Sequence, residues 1–341
     1  MAFPLATTVI CELLGVPATG RTTFSDWFTA ALTPAEAPDA DVIVGRALKT
    51  LNDYIQTLID TKRGSGEDTG GDLLTALIHA RDGDDALSEE ELVATVFLLL
   101  GAGHETTVNL IGNAMLALLA NPDEYRFLRD RPDLLPSAVE EFLRLDGPVQ
   151  HATPRIALED INIDGMTIPA GSRVILKIAA ANRDPEIFAE PHRLILDRTG
   201  PTHLAFGHGI HHCLGAPLGR LEARIAINTM LTRLPDLQLT GPTVGLHWKP
   251  GDFLRGLTTL PVRFTPPCRN GGGAGRTRIG RHPAAVFLSQ ARSRSGRRAP
   301  PARGGGVIPK EMLPVADQPR HVAHVSTWWH SGAQRNFRSA R

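Results

Sequence analysis

Phe206-Gly207-His208-Gly209-Ile210-His211-His212-Cys213-Leu214-Gly215 decides how the rest of this sequence is read. Gly207, Gly209 and Gly215 open backbone conformations closed to other residues and let the main chain pass close to a flat ligand. Cys213 stands just before a helix that the pattern starts near Ala216, where the positive helix end and its free N–H groups favour thiolate over thiol. Pro217 falls in the first helical turn, where its missing donor costs little. Such a loop presents a thiolate. Zinc is the competing reading, because His208, His211, His212 and Cys213 are all competent ligands. Their spacing is too compressed for separated ligand pairs, and no complementary Cys or His pair lies elsewhere.

Upstream, Ser88 and Glu91 make an S-x-x-E capping box before an apolar stretch from Leu92 to about Ala120. It is apolar on nearly every face, so it reads as a long central helix, stopped by Asn121-Pro122. Within it, Ala102-Gly103-His104-Glu105-Thr106-Thr107 inserts polar groups whose unpartnered burial would cost several kcal/mol. Further helices are expected over Phe3 to Val16, Ala40 to Thr61, Asp72 to Ala80, Asp123 to Arg131, Leu135 to Leu145 and Ala216 to Leu234. Loops are expected from Gly64 to Gly71 and around Asp82 to Asp85. Strand signals begin after Ile156: Ile161-Asn162-Ile163 and Met166-Thr167-Ile168 flank Asp164-Gly165, a two-residue hairpin turn, with further strands at Val174 to Leu176, Leu237 to Leu239 and Leu257 to Phe264. Asp184 to Arg198 reads as irregular.

The chain has 341 residues, 42% of them apolar, enough for a substantial core. Its formal charge of +0 hides an imbalance. From Arg269 onward, 13 Arg and one Lys face only Glu311 and Asp317, a net +12 that leaves −12 for the preceding residues. After Thr265 the composition turns to Arg, Gly, Pro, Ala and Ser without periodicity, so 266–341 is expected to be a disordered basic tail. A nucleic-acid-binding tail and out-of-frame coding of a GC-rich message are the alternatives; no nucleic-acid partner is expected. Cys11, Cys213 and Cys268 are too few and scattered for a disulfide framework, which points to a reducing cytoplasm. The N-terminus lacks secretory features, and the apolar run from Leu92 is broken by His104 and Glu105 too soon to cross a bilayer. No membrane anchor is expected.

The cysteine loop resembles the F-x-x-G-x-x-x-C-x-G signature of the cytochrome P-450 family of haem-thiolate enzymes. Three further segments resemble family motifs, in the order the family requires. Ala102 to Thr107 resembles the oxygen-activation motif, where a local opening of the helix makes a groove for dioxygen. Glu105 takes the acid position and Thr106 the alcohol position, which implies a role in proton delivery. Glu141-Phe142-Leu143-Arg144 matches the family's E-x-x-R pair, and Arg193 in Pro191-His192-Arg193-Leu194 matches the arginine that completes this structural network, with Leu194 where phenylalanine is usual. Pro148-Val149-Gln150-His151-Ala152-Thr153-Pro154-Arg155 resembles the stretch along the haem edge. Arg155 and His211 are the implied propionate partners, since guanidinium binds carboxylate through two parallel bonds. Cys213 is the implied iron ligand, with Phe206, Gly207 and Gly215 around it.

The resemblance covers roughly Phe3 to Phe264, so 1–265 is taken as a partial domain. It implies a mainly α fold with small antiparallel β-sheets, the cytochrome P-450 fold truncated at the N-terminus: members carry a longer N-terminal part, with strands of the main sheet and a helix whose basic side chains meet the haem. It further implies haem b, and insertion of one atom of dioxygen into an apolar small molecule by hydroxylation or epoxidation. Electrons would come from a ferredoxin and ferredoxin reductase, because nothing here binds nicotinamide or flavin; the enzyme would be a monomer of secondary metabolism. Val96, Leu99, Ala102, Val149 and Ala152 are expected to face the substrate. The alternative is a non-catalytic remnant of the same family that binds haem weakly or not at all.

Overall fold

The computed structural model describes residues 2–18, 21–31, 33, 37–65, 71–81, 87–265 and 286–287. The chain folds around α5 (Glu89–Ala120), 32 residues and so about 48 Å long at about 1.5 Å per residue. Its start is the expected capping box: Ser88 Oγ accepts from Glu91 N at 3.2 Å and Glu91 Oε2 accepts from Ser88 N at 2.8 Å. Glu89, Glu90 and Glu91 add negative charge where the helix dipole favours it.

One end of α5 packs with α1 (Ala2–Leu13), α2 (Arg21–Ala31), α3 (Ala40–Ser65) and α4 (Leu73–Arg81) around Leu14, Phe24, Leu51, Ile55, Ile59, Leu74, Leu92 and Leu100. The other end packs with α6 (Pro122–Asp130), α7 (Leu135–Asp146) and α9 (Ala216–Arg233) around Ile111, Met115, Leu118, Leu128, Phe142 and Ile227. Each fully buried leucine, isoleucine or methionine stabilises the fold by roughly 1.5–3 kcal/mol. Because α5 contributes to both cores, its midpoint lies where they meet. That midpoint carries His104 to Thr107.

The helix α2 escaped the sequence reading. Its polar residues mask Phe24 and Phe28, one turn apart, which are buried and stack at 6.1 Å between ring centroids. The short α8 (Ile178–Ala181) was likewise not foreseen.

The strands form small antiparallel sheets: β1 (Arg155–Ile156) with β4 (Arg173–Val174), β2 (Ile161–Ile163) with β3 (Met166–Ile168), and β5 (Gln238–Leu239) with β6 (Pro261–Arg263) and β7 (Val286–Phe287). The hairpin has the expected register, Ile161 opposite Ile168 and Ile163 opposite Met166. Asp164 and Gly165 take φ of 47° and 80°, the left-handed pair a tight two-residue turn requires. The expected turn at 82–85, most of the loop at 64–71 and the tail, apart from Val286–Phe287, lie outside the described residues.

Candidate haem-thiolate site

Between α7 and α9 the chain runs without long elements, and buried polar side chains hold it. Arg144 donates from Nε to Glu141 Oε2 at 2.7 Å and from Nη2 to Glu141 Oε1 at 2.8 Å, both residues being almost fully buried. The same guanidinium donates to the carbonyls of Asn182 (3.0 Å), Pro191 (2.8 Å) and Arg193 (3.3 Å). Glu141 also accepts from Ile195 N at 3.0 Å and from Arg198 Nε at 2.9 Å. A buried ion pair survives only when its remaining lone pairs and protons are satisfied in this way. The arginine side chain that joins the network is therefore Arg198. Arg193, expected in that role, contributes only its carbonyl; its exposed side chain reaches Glu190 at 3.0 Å.

Next along the chain, His203 Nε2 lies 3.1 Å from Glu140 Oε2, and Leu204 N donates to Asn182 Oδ1 at 2.7 Å. The cysteine loop then closes on itself: Gly207 N donates to Leu204 O at 2.8 Å, His212 N to Gly209 O at 3.0 Å, and Cys213 N to Phe206 O at 2.9 Å. Gly207 and Gly209 sit at φ of 72° and 71°, which a side chain would strain. A short 3-10 turn spans Gly209–His211, and α9 follows Gly215 with a proline in its first turn, as expected. Arg220, one turn into α9, places its guanidinium 4.4 Å from the Phe206 ring centre and donates to both oxygens of Glu140, at 2.7 and 2.9 Å. Hydrogen bonding to Glu140 raises the Arg220 pKa, and the nearby Cys213 sulfur adds to that effect.

The loop meets α5 through α9. A Cβ built on Gly219 would lie 3.9 Å from Thr107 Oγ1, so the turn after the cysteine packs against the helix turn that carries Glu105 and Thr106. There α5 continues as an unbroken helix, without the local opening that was expected. Thr106 Oγ1 donates to Ala102 O at 2.7 Å. Glu105 turns elsewhere: it is buried and accepts from Lys249 Nζ, which also donates to Asn109 Oδ1 at 2.8 Å. His104 is fully buried against the rings of Phe3, Phe24 and Phe28, and burial pushes its pKa below the usual value.

The stretch from Pro148 to Arg155 is held on two sides, by Gln150 N to Phe253 O at 3.0 Å and by Ala152 N to Leu176 O at 2.9 Å. Arg155 is exposed and folds back on its own strand, donating to Thr153 O at 3.2 Å and Pro154 O at 3.3 Å; His211 is also exposed. Of the expected substrate-facing residues, Ala102 is exposed, and Leu99, Val149 and Ala152 are half-buried. Val96 departs from the expectation, being fully buried in the core that contains Phe28 and Leu100.

Cys213 is an exposed free thiol flanked by exposed apolar side chains, Ile210 at 97% and Leu214 at 82%. A lone sulfur donor on a glycine-opened, apolar face fits a flat, largely apolar macrocycle that needs one axial ligand. It does not fit zinc: among the described residues no three His, Cys, Asp or Glu side chains gather where they could hold a metal ion.

Comparison with known proteins agrees with this geometry. The chain is 48% identical over 277 residues to the cytochrome P450 monooxygenase PikC of Streptomyces venezuelae, covering 81% of this chain and 64% of that protein. It is 46% identical over 266 residues to the vitamin D(3) 25-hydroxylase of Pseudonocardia autotrophica, covering 78% of this chain and 64% of the relative. The solved structure of the tirandamycin C-bound P450 monooxygenase TamI superposes with a TM-score of 0.71 at 46% identity, over 78% of this chain and 64% of that one. The chain thus spans a little under two thirds of the length of these relatives. The sequence profile described as Cytochrome P450 matches residues 42–235, which hold α5, the Glu141–Arg144 pair and the whole cysteine loop, and by that match the chain belongs to the cytochrome P450 family.

Proposed function

We propose that this chain carries the haem-thiolate part of a monooxygenase that inserts one atom of dioxygen into an apolar small molecule, in which Cys213 would hold the haem iron. The observation that carries this reading is the exposed thiol of Cys213, set by a self-closed glycine loop at the start of α9, the helix whose Gly219 lies against Thr107 of α5. The family's cofactor is haem held by a cysteine thiolate; when bound, it supplies dioxygen activation, which electron donation from the thiolate favours.

The protein's own residues would position, shield and protonate. The loop before α9 presents the Cys213 sulfur as the group that would hold the haem iron. Arg155 and His211, both exposed, are free to turn towards carboxylate groups of the haem edge. Thr106 Oγ1 and the Glu105 carboxyl are the groups that would hold and move protons. Ala102, Leu99, Val149 and Ala152 would offer the apolar surface that seats the substrate and excludes water. Electrons would come singly from a ferredoxin and its reductase. Among the described residues no helix is long and apolar enough to cross a membrane.

The unbroken course of α5 through Glu105 and Thr106 favours a second reading, a non-catalytic family member that holds haem weakly or not at all. One spectrum separates the two. The purified chain, supplied with haem, reduced and exposed to carbon monoxide, should give the strongly red-shifted Soret band of thiolate ligation. Absence of the band sinks the monooxygenase reading for this chain, and a band that survives Cys213→Ser shows that another group is the ligand.

A further inference from the structure

The sequence motifs give no place to Lys249, yet its ammonium reaches the α5 midpoint at Glu105 and Asn109. We infer that Lys249 is a positioning residue for the α5 turn carrying Glu105 and Thr106, an inference that rests on the monooxygenase reading above.

Lys249 belongs to a hairpin closed by the pairing of Trp248 with Leu257 and by Lys249 N donating to Gly256 O at 2.8 Å. Its ammonium donates to two acceptors, Glu105 Oε1 and Asn109 Oδ1, the latter at 2.8 Å. These residues are four apart on α5 and so lie on one face. Asn113 continues the stripe by one more turn, donating to Arg255 O at 3.1 Å and Asp146 O at 3.0 Å. Glu105, Asn109 and Asn113 are all buried, at 6%, 2% and 2% exposure, on a helix that is otherwise largely apolar. The hairpin therefore grips α5 through a polar stripe, with the one charged pair at the end nearest Thr106.

The backbone opposite this stripe is shaped to admit it. A Cβ on Gly256 would lie 2.1 Å from Asn109 Oδ1, so only glycine leaves room for the amide that receives Lys249. The hairpin itself is braced, Arg255 Nε donating to Asp146 Oδ1 at 2.6 Å while its guanidinium lies 3.6 Å from the Trp248 ring centre. A flexible lysine stem is thereby held at a fixed point over α5. A carboxylate buried at this depth needs such a partner, because burying it alone costs far more than the pair returns. Held by Lys249, the Glu105 carboxylate is kept on the hairpin face of α5, and the adjacent Thr106 hydroxyl keeps its hydrogen bond to Ala102 O.

Two measurements test this. In the haem-free chain, a thermal unfolding cycle compares Lys249→Met, Glu105→Gln and the double variant. A double loss in Tm clearly smaller than the sum of the single losses is expected; additive losses overturn the clamp. In the haem-loaded, reduced chain, the stretching frequency of bound carbon monoxide reads the polar groups facing the ligand. Lys249→Met is expected to shift and broaden that band and Lys249→Arg to restore it. Gly256→Ala, which leaves both charged residues in place and displaces Asn109, should shift it part of the way. An unmoved band in Lys249→Met, beside non-additive Tm losses, reduces Lys249 to a purely structural residue and overturns the positioning role. If wild-type chain gives no thiolate-type carbon monoxide spectrum, the monooxygenase reading fails and the positioning role falls with it, while the unfolding cycle still decides the clamp.

Discussion

Arg198 Nε lies 2.9 Å from Glu141 Oε2, which makes Arg198 the second arginine of a buried carboxylate already bound by Arg144. Arg198 also donates to the carbonyls of Ala189 and Glu190, so it fastens the segment leading to the cysteine loop from both ends. Removing one partner of a buried pair leaves an uncompensated charge, at a cost of about 3–5 kcal/mol. Arg198→Ala should approach that loss in urea unfolding. Arg193→Ala removes only an exposed pair with Glu190 and should leave the unfolding midpoint close to that of wild type. Equal losses would mean that the arginine expected from the sequence holds the network after all.

Cys213 is exposed, whereas Cys11 is fully buried in the core with Leu14 and Phe24. In a Cys268→Ser background, a thiol reagent should therefore label Cys213 long before Cys11, with peptide mapping to identify the site. Haem added beforehand should suppress that labelling. Undiminished labelling in a chain that has taken up haem would remove Cys213 as its ligand.

The helical frame and the hairpin were legible because local chemistry dictates them: the Ser88–Glu91 box starts α5, and Asp164-Gly165 fixes the register of its hairpin. The cysteine loop was legible for the same reason, its glycines and Pro217 each answering a local backbone demand. What sequence spacing missed are partnerships across long separations. Arg198 reaches Glu141 over 57 residues, Arg220 reaches Glu140 over 80, and Lys249 reaches Glu105 over 144. Arg193 and Arg198 lie five residues apart in an irregular segment, where no periodicity says which one turns inward. A partial signal for Lys249 did exist, since Glu105, Asn109 and Asn113 repeat every four residues on a core helix and demand a polar partner from elsewhere. The missed α2 shows the converse, a helix formed by tertiary burial of Phe24 and Phe28 despite a weak local pattern.

Glu222 on α9 is almost fully buried, and among the described residues neither carboxyl oxygen has a hydrogen-bond partner. Burial raises its pKa from 4.5 to about 7. The folded state thus holds a proton that the unfolded chain gives up earlier. The resulting stability is fully present below about pH 4.5 and is lost as pH rises through about 7. Glu222→Gln, neutral at every pH, should be more stable than wild type at pH 8 by on the order of 1 kcal/mol and close to it at pH 4. Parallel stability curves for the two proteins would show that the carboxyl is ionised inside the fold.

Glu140 has the opposite sign and ties acid stability to the cysteine loop. Burial alone would raise its pKa, but hydrogen bonds from His203 and Arg220 outweigh that and bring it from 4.5 down to about 2. The stability it contributes is present above pH 4.5 and is lost as pH falls through about 2. Glu140→Gln should flatten this acid limb and lower stability at pH 7 by on the order of 1 kcal/mol, because partial exposure screens the pair. Its effect should also reach the site. Without Glu140 to orient it, the Arg220 guanidinium no longer stays over the Phe206 ring, and Phe206 O is the acceptor of the Cys213 N–H. Haem affinity, followed by Soret titration at pH 7, should therefore fall in Glu140→Gln. A variant with lowered stability and unchanged haem affinity would separate the Glu140–Arg220 pair from the placement of the thiolate.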